Sequence, residues 1–172
     1  MIEVVSADSE AQVEHTRDLM RAFVRWHRNR HQEDLHLIDA YFDTGEFEDE
    51  LASLPGKYSP PAGRLLLATC DGDAAGCVAL RALDERTCEM KRMFVYERFR
   101  GKGIGRALVE AVLREARAAG YDLMRLDTSH RQVEALTLYA RFGFVRTEAY
   151  YDLPEDLRRW LVFMELPLRD SR

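Results

Sequence analysis

Apolar residues recur along the chain with two periods, and the alternation between them predicts the order of elements. Ile2–Val5 is a short apolar strand, and the polar run Ser6–Glu10 leads into a helix through Val13, Leu19, Met20, Phe23, Val24 and Trp26, which return to one face. Asp34 to about Leu54 is amphipathic, and predicts a helix or a pair of helical turns broken near Thr44-Gly45. The run from Leu54 to Gly63, with three prolines and two glycines, cannot sustain a helix or an interior strand and predicts a loop. Leu65–Cys70 and Ala75–Leu80 flank Asp71-Gly72-Asp73, a hairpin signal, and Cys88–Val95 supplies the next strand. After Arg100 the period changes. Ile104, Leu108, Ala111, Val112, Ala116 and Ala119 form one helical stripe ending at Gly120; a strand follows at Leu123–Asp127. Val133, Leu136, Leu138, Tyr139 and Phe142 mark a helix closed by Gly143, before strands at Phe144–Tyr150 and Trp160–Leu166.

This order predicts a mixed α/β fold. The connection from the strand ending at Val95, through a glycine-rich loop and a helix, to the strand at Leu123 is a crossover, which makes those two strands parallel neighbours. No repeat, low-complexity tract or linker divides the chain, so residues 1–172 are expected to form one domain.

Composition narrows the function. The 172 residues are 47% hydrophobic and 32% charged, as in ordinary globular proteins, with a formal charge of -5. That balance argues against a nucleic-acid-binding surface but leaves small anionic ligands open. Cys70, Cys77 and Cys88 follow no metal-ligand spacing and lie in apolar strands, so they read as buried thiols in a reducing compartment. No charged-then-apolar leader and no run of about 18 apolar residues is present, so a cytoplasmic location without a membrane span is expected.

The densest chemical signal is Arg98-Phe99-Arg100-Gly101-Lys102-Gly103-Ile104-Gly105-Arg106, between a strand and a helix. The first turn of a helix has unpaired amides and a partial positive charge, and glycines let an anion approach without a Cβ in the way. Arg100, Lys102 and Arg106 add charge where a phosphate would lie. A Walker A loop would need lysine and then serine or threonine after its last glycine, where Arg106 and Ala107 stand. A dinucleotide fingerprint begun at Gly101 or Gly103 would want glycine or alanine where Arg106 or Leu108 stands.

The segment resembles the acyl-CoA signature of the GNAT acetyltransferases, through Arg100, Gly103 and Gly105 at the head of a helix. A second block resembles the family downstream: Ala135, Leu138, Tyr139, Gly143 and Phe144. Where the family often has asparagine three residues before that alanine, this chain has Gln132, which carries the same amide. The resemblance implies a mostly antiparallel central sheet of six to seven strands flanked by about four helices, of α+β type, with a parallel, splayed strand pair at the cofactor site. It implies acetyl-CoA as acyl donor, held by Arg100 through Arg106, by Gln132, and by the backbone of Met93, Phe94 and Val95, along which the pantetheine arm would lie like an added strand.

Transfer to an amine needs a proton acceptor, because a lysine-like amine with a pKa of about 10.4 is protonated at neutral pH. Glu89, on the strand leading to the glycine loop, sits where some GNAT enzymes carry a catalytic glutamate, and is the expected base, its pKa raised by a partly apolar site. A solvated carboxylate paired with Lys91 or Arg92 is the plainer alternative. The resemblance puts the acid that protonates the leaving thiolate on Tyr139, whose other reading is a packed helix aromatic. Tyr58 and Tyr150 come from regions that border the acceptor, a primary amine on a small molecule or a protein; loop anchoring explains both equally well. His27, His31 and His36 read as a solvated helix end and no metal is expected, while Asp49 and Glu50 read as exposed charge. The resemblance also admits a homodimer. A non-catalytic CoA-binding module is the competing function.

Overall fold

A computed structural model describes residues 1–170. The elements in chain order are β1 (Ile2–Ser6), α1 (Glu10–Arg30), α2 (Leu35–Tyr41), α3 (Thr44–Ala52), β2 (Arg64–Cys70), β3 (Asp73–Ala82), β4 (Thr87–Val95), α4 (Ile104–Ala118), β5 (Leu123–Ser129), α5 (Val133–Arg141), β6 (Val145–Thr147), α6 (Glu155–Trp160) and β7 (Leu161–Pro167). One sheet runs β1-β2-β3-β4-β5-β7-β6, with every neighbouring pair antiparallel except β4 and β5. The parallel pair is the one the crossover predicted.

The middle of the sheet is covered on both sides. Leu66, Ala68, Val78 and Leu80 pack with α4, and Leu65, Leu67, Cys77 and Ala79 pack with the layer of α1 to α3. Burial on both faces explains why β2 and β3 read as unbroken apolar runs. All three cysteines are buried free thiols, as their strand setting suggested. Among the described residues no helix is long and apolar enough to cross a membrane.

Several elements depart from the periodicity. Among the described residues six helices form where about four were expected, because the stretch after Asp34 divides into α2 and α3 and because α6 has six residues, too few to establish a helical period. The break lies at Phe42 and Asp43, not at Thr44-Gly45: the Asp43 carboxylate accepts from the Glu46 amide, and the helix starts after it. Trp160 ends α6 rather than opening a strand. β6 stops at Thr147, which leaves Tyr150 in an irregular segment. The Leu54–Gly63 loop contains a 3-10 turn at Gly56–Tyr58, whose tyrosine is wholly buried.

Gly63 is fixed by contact. A Cβ there would stand 2.5 Å from the Tyr58 carbonyl carbon and 2.6 Å from its Cα, and backbone cannot move aside as a side chain can. Gly63→Ala is expected to destabilise the fold by about 2 kcal/mol, the scale of overpacking, read from urea melts. An unchanged melt would contradict this packing.

Candidate active site

β4 and β5 pair only at Thr87–Leu123, Cys88–Met124 and Glu89–Arg125. Beyond Glu89 they diverge, β4 staying on β3 and β5 on β7, so the two facing backbone edges lack strand partners. Unpaired backbone within a sheet is an unmet demand for hydrogen bonds. A cleft of about 350 Å³ opens there and brings together Met93, Phe94, Val95, Arg100, Gly101, Gly103, Ile104, Gly105, Gln132 and Tyr139.

At one end of this cleft stands the start of α4. Gly101 and Gly103 hold φ of +78° and +88°, conformations that favour glycine, and Gly103 caps the helix without any side-chain hydrogen bond to its first-turn amides. Those amides are therefore open to an anion. The cations are arranged differently from the sequence expectation. Arg100 donates from Nε to the Val95 carbonyl at 3.0 Å and lays its guanidinium 4.3 Å from the Trp26 ring centre, so it fastens the loop to the end of β4. Lys102 lies over Phe99, and Arg106 pairs with Glu110 on the exposed side of α4. Gln132 is buried in the cleft wall with its Nε2 lacking a hydrogen-bond partner, a donor facing the place where a ligand would lie.

Tyr139 also lines a smaller inner cavity of about 50 Å³, together with Asp127, Lys91, Tyr41, His27 and Trp160. Burial, with the nearby Asp127 charge, holds the Tyr139 phenol above its ordinary pKa. Asp127 accepts from the Tyr41 hydroxyl at 2.6 Å and from the Tyr151 hydroxyl, with Lys91 Nζ at 3.5 Å. Burial alone would raise the Asp127 pKa; the Lys91 charge and the two phenols outweigh it and hold the carboxyl below the usual range.

Glu89 is wholly buried one residue pair behind this cavity. Its Oε1 accepts from Arg81 at 2.8 Å, its Oε2 from the Tyr150 hydroxyl, and Lys91 Nζ stands 3.8 Å from Oε1. The partly apolar surround expected of it is replaced by two cations and a phenol; of the two partners considered from sequence, Lys91 is one of these cations and Arg92 is not. Arg92 pairs instead with Glu50, which sequence assigned to the exposed surface. Burial disfavours the Glu50 charge, but Arg92 and Lys57 bring its pKa down to about 2. Tyr58 sits beside this pair, on the wall of a groove between α3 and β4.

Of the three histidines read as a solvated helix end, His36 is exposed, but His27 and His31 are buried. His27 is 2% exposed and stacks on Trp160, and burial lowers its pKa to about 4. The unfolded chain binds this proton near pH 6.5 and the folded one does not, so stability falls with pH from about 6.5 to 4. Its contribution to that loss is roughly 3 kcal/mol. In urea melts at pH 7.5 and 4.5, His27→Phe is expected to show a smaller fall than the wild type; an equal fall would refute neutral burial.

Sequence reasoning missed Asp127, Lys91 and Tyr41. The available signal was charge at alternate positions: Arg125 and Asp127 on β5, and Glu89 and Lys91 on β4, place four charged side chains on one face of two central strands.

A cleft with unpaired strand edges, open helix amides at one end and the Tyr139 phenol at the other has the shape to take an extended, anionic ligand. The family model described as Acetyltransferase (GNAT) family matches residues 16–144, and the chain belongs to that family. It is 41% identical over 109 residues to an uncharacterized N-acetyltransferase of Schizosaccharomyces pombe, spanning 62% of this chain and 67% of that protein. A GNAT family acetyltransferase from Elizabethkingia anophelis, solved with acetyl-CoA bound, aligns with a TM-score of 0.52 and 26% identity over 62% of this chain and 76% of its own. A GNAT family acetyltransferase from Staphylococcus aureus shares the fold over 98% of this chain and 100% of its own, with a TM-score of 0.74 at 18% identity. The protein is an acyl-CoA-dependent N-acetyltransferase.

Proposed function

We propose that the protein transfers the acetyl group of acetyl-CoA directly to a primary amine, with Asp127 as proton acceptor and Tyr139 as hydrogen-bond donor to the departing sulfur. The observation that carries this reading is the position of Tyr139, shared by the donor cleft and the inner cavity that holds Asp127. The pyrophosphate would rest on the amides that open α4, the pantetheine arm on the unpaired edge of β4, and the Gln132 amide would meet one of the arm's carbonyls. The thioester then lies at the junction.

The amine nitrogen attacks the thioester carbonyl carbon, the C–S bond breaks, and CoA leaves as thiolate. Once bonded to that carbon the nitrogen becomes far more acidic than a free ammonium, so a carboxylate held below the usual pKa can still take its proton. Tyr139 stays neutral and donates a hydrogen bond to the sulfur. A thiol with a pKa near 8.5 is the stronger acid, so full proton transfer from the phenol is not required. Glu89 fixes Lys91, Arg81 and Tyr150 and so holds the polar wall around Asp127. The acceptor reaches Asp127 past Tyr151, which is 36% exposed, with Tyr150 beside it.

Thermal-shift titration tests the donor. Acetyl-CoA and CoA are expected to raise the melting temperature, and ATP and NAD, which lack the pantetheine arm, to do so far less. Equal stabilisation by ATP would overturn the reading. Thiol release from acetyl-CoA over a panel of amines and peptides then identifies the acceptor.

A further inference from the structure

Among the described residues, two other than glycine hold a positive φ: Asp71 and Arg92. Asp71 belongs to the β2–β3 hairpin turn, where a short polar side chain tolerates the left-handed region. Arg92 lies inside β4 at φ +58°, and for a long side chain that conformation carries a penalty equivalent to about tenfold in an equilibrium. Such a conformation persists only when its surroundings over-determine it.

The surroundings of Arg92 do so. Its guanidinium is buried and donates from Nε to Glu50 Oε2 at 2.8 Å and from Nη2 to Glu50 Oε1 at 3.1 Å. It lies 5.2 Å from the ring centres of both Phe42 and Phe47. Glu50 is held in turn by Lys57 at 2.8 Å, and the Arg92 carbonyl accepts from the Cys77 thiol at 3.3 Å. A planar, bidentate cation stacked between rings is fixed in a way that a lysine could not reproduce.

The clamp acts where β4 changes course. Cys77 pairs with Phe94 and Ala79 with Lys91, so Arg92 and Met93 together oppose the single residue Val78. This bulge falls in the stretch of β4 that has left β5, and it re-aims the backbone that follows. Met93, next in the chain, reaches the glycine loop: its Cε would stand 3.3 Å from a Cβ on Gly105.

The geometry points to Arg92 as a positioning residue, whose side chain, gripped by Glu50, Phe42 and Phe47, holds the bulge that presents the β4 backbone to the pantetheine arm of acetyl-CoA. This rests on the proposed seat of that arm in the β4–β5 cleft. The long clamp also ties α3 to the donor cleft through one side chain.

The test removes the buried carboxylate first, so that no buried charge is left unpaired once Arg92 is truncated, only the half-exposed Lys57 losing a partner, and then varies the backbone preference alone. In a Glu50→Gln background, Arg92→Ala and Arg92→Gly both lack the clamp, but only alanine resists a positive φ. Calorimetric binding of acetyl-CoA is expected to weaken about tenfold in the alanine variant relative to the glycine variant. Adenosine 3′,5′-bisphosphate, which lacks the arm, is expected to bind both alike. A purely structural role for Arg92 would make glycine no better than alanine, and that result overturns the proposal. Should neither double variant give a cooperative melt, Glu50→Gln alone decides: severalfold weaker acetyl-CoA binding with unchanged bisphosphate binding supports the clamp, and unchanged binding of both refutes it. If the wild type does not distinguish acetyl-CoA from the bisphosphate, the seat of the arm fails instead.

Discussion

Asp127→Asn is expected to lower kcat/KM by roughly 10²–10³-fold, the usual contribution of a positioned general base. Asparagine keeps the size of the side chain; its one oxygen can still accept from one of the two phenols that meet the carboxylate, and its amide can donate to the hydroxyl oxygen of the other. It cannot take a proton. Acetyl-CoA binding should change little, because Asp127 is absent from the lining of the donor cleft. The pH dependence has a definite sign. A carboxyl held below its ordinary pKa stays ionised from neutral pH well into the acid range, so its own titration does not shape the wild-type profile near neutrality. Wild-type kcat/KM should instead rise with pH toward the pKa of the acceptor amine. The deficit of Asp127→Asn should shrink at high pH, where hydroxide can remove the proton.

Glu89→Gln separates the two carboxylates. Glu89 binds Arg81 and Tyr150 with its two oxygens and does not line the inner cavity, so its loss is expected to cost about tenfold, through misplacement of Lys91 and Tyr150. A larger loss in Glu89→Gln than in Asp127→Asn would exchange their roles. Both variants should be compared for thiol release at pH 7 and pH 9 with one acceptor.

The difference between these two carboxylates shows what a sequence carries and what it leaves out. The glycines at 101, 103 and 105 were legible because a glycine-rich strand-to-helix junction has few uses, and each of the predicted strands from Ile2 to Leu123 follows from local period. Tyr139 was legible through its block. The partner of a charge was not. Glu89 and Lys91 look alike as polar strand positions, and only the divergence of β4 from β5 decides that one is sealed behind the cavity while Asp127 opens on it. Arg92 shows the same limit: its partner, Glu50, lies 42 residues back on α3, whose acidic face reads as solvated until the fold lays it over β4. Short elements are lost for another reason. In α6, Leu157 and Trp160 are a single i, i+3 pair, which any loop could present by chance.

Tyr139→Phe removes one oxygen and is expected to reduce kcat by about 10²-fold with little change in the KM for acetyl-CoA. The ring keeps its place, because Phe144 packs 5.9 Å from it and phenylalanine preserves that contact. The lost interaction develops mainly as the C–S bond breaks, when the sulfur gains charge, so its removal acts on turnover rather than on binding. Burial and the Asp127 charge hold the phenol above its ordinary pKa, so it remains a donor throughout the neutral and mildly alkaline range. The wild type should therefore show no alkaline fall from Tyr139 ionisation below about pH 10. Steady-state thiol release at saturating acetyl-CoA checks this directly. Undiminished turnover in the phenylalanine variant would remove Tyr139 from the chemistry and leave it as packing, whereas a rise in KM with unchanged kcat would make it a binding group for the ground-state thioester.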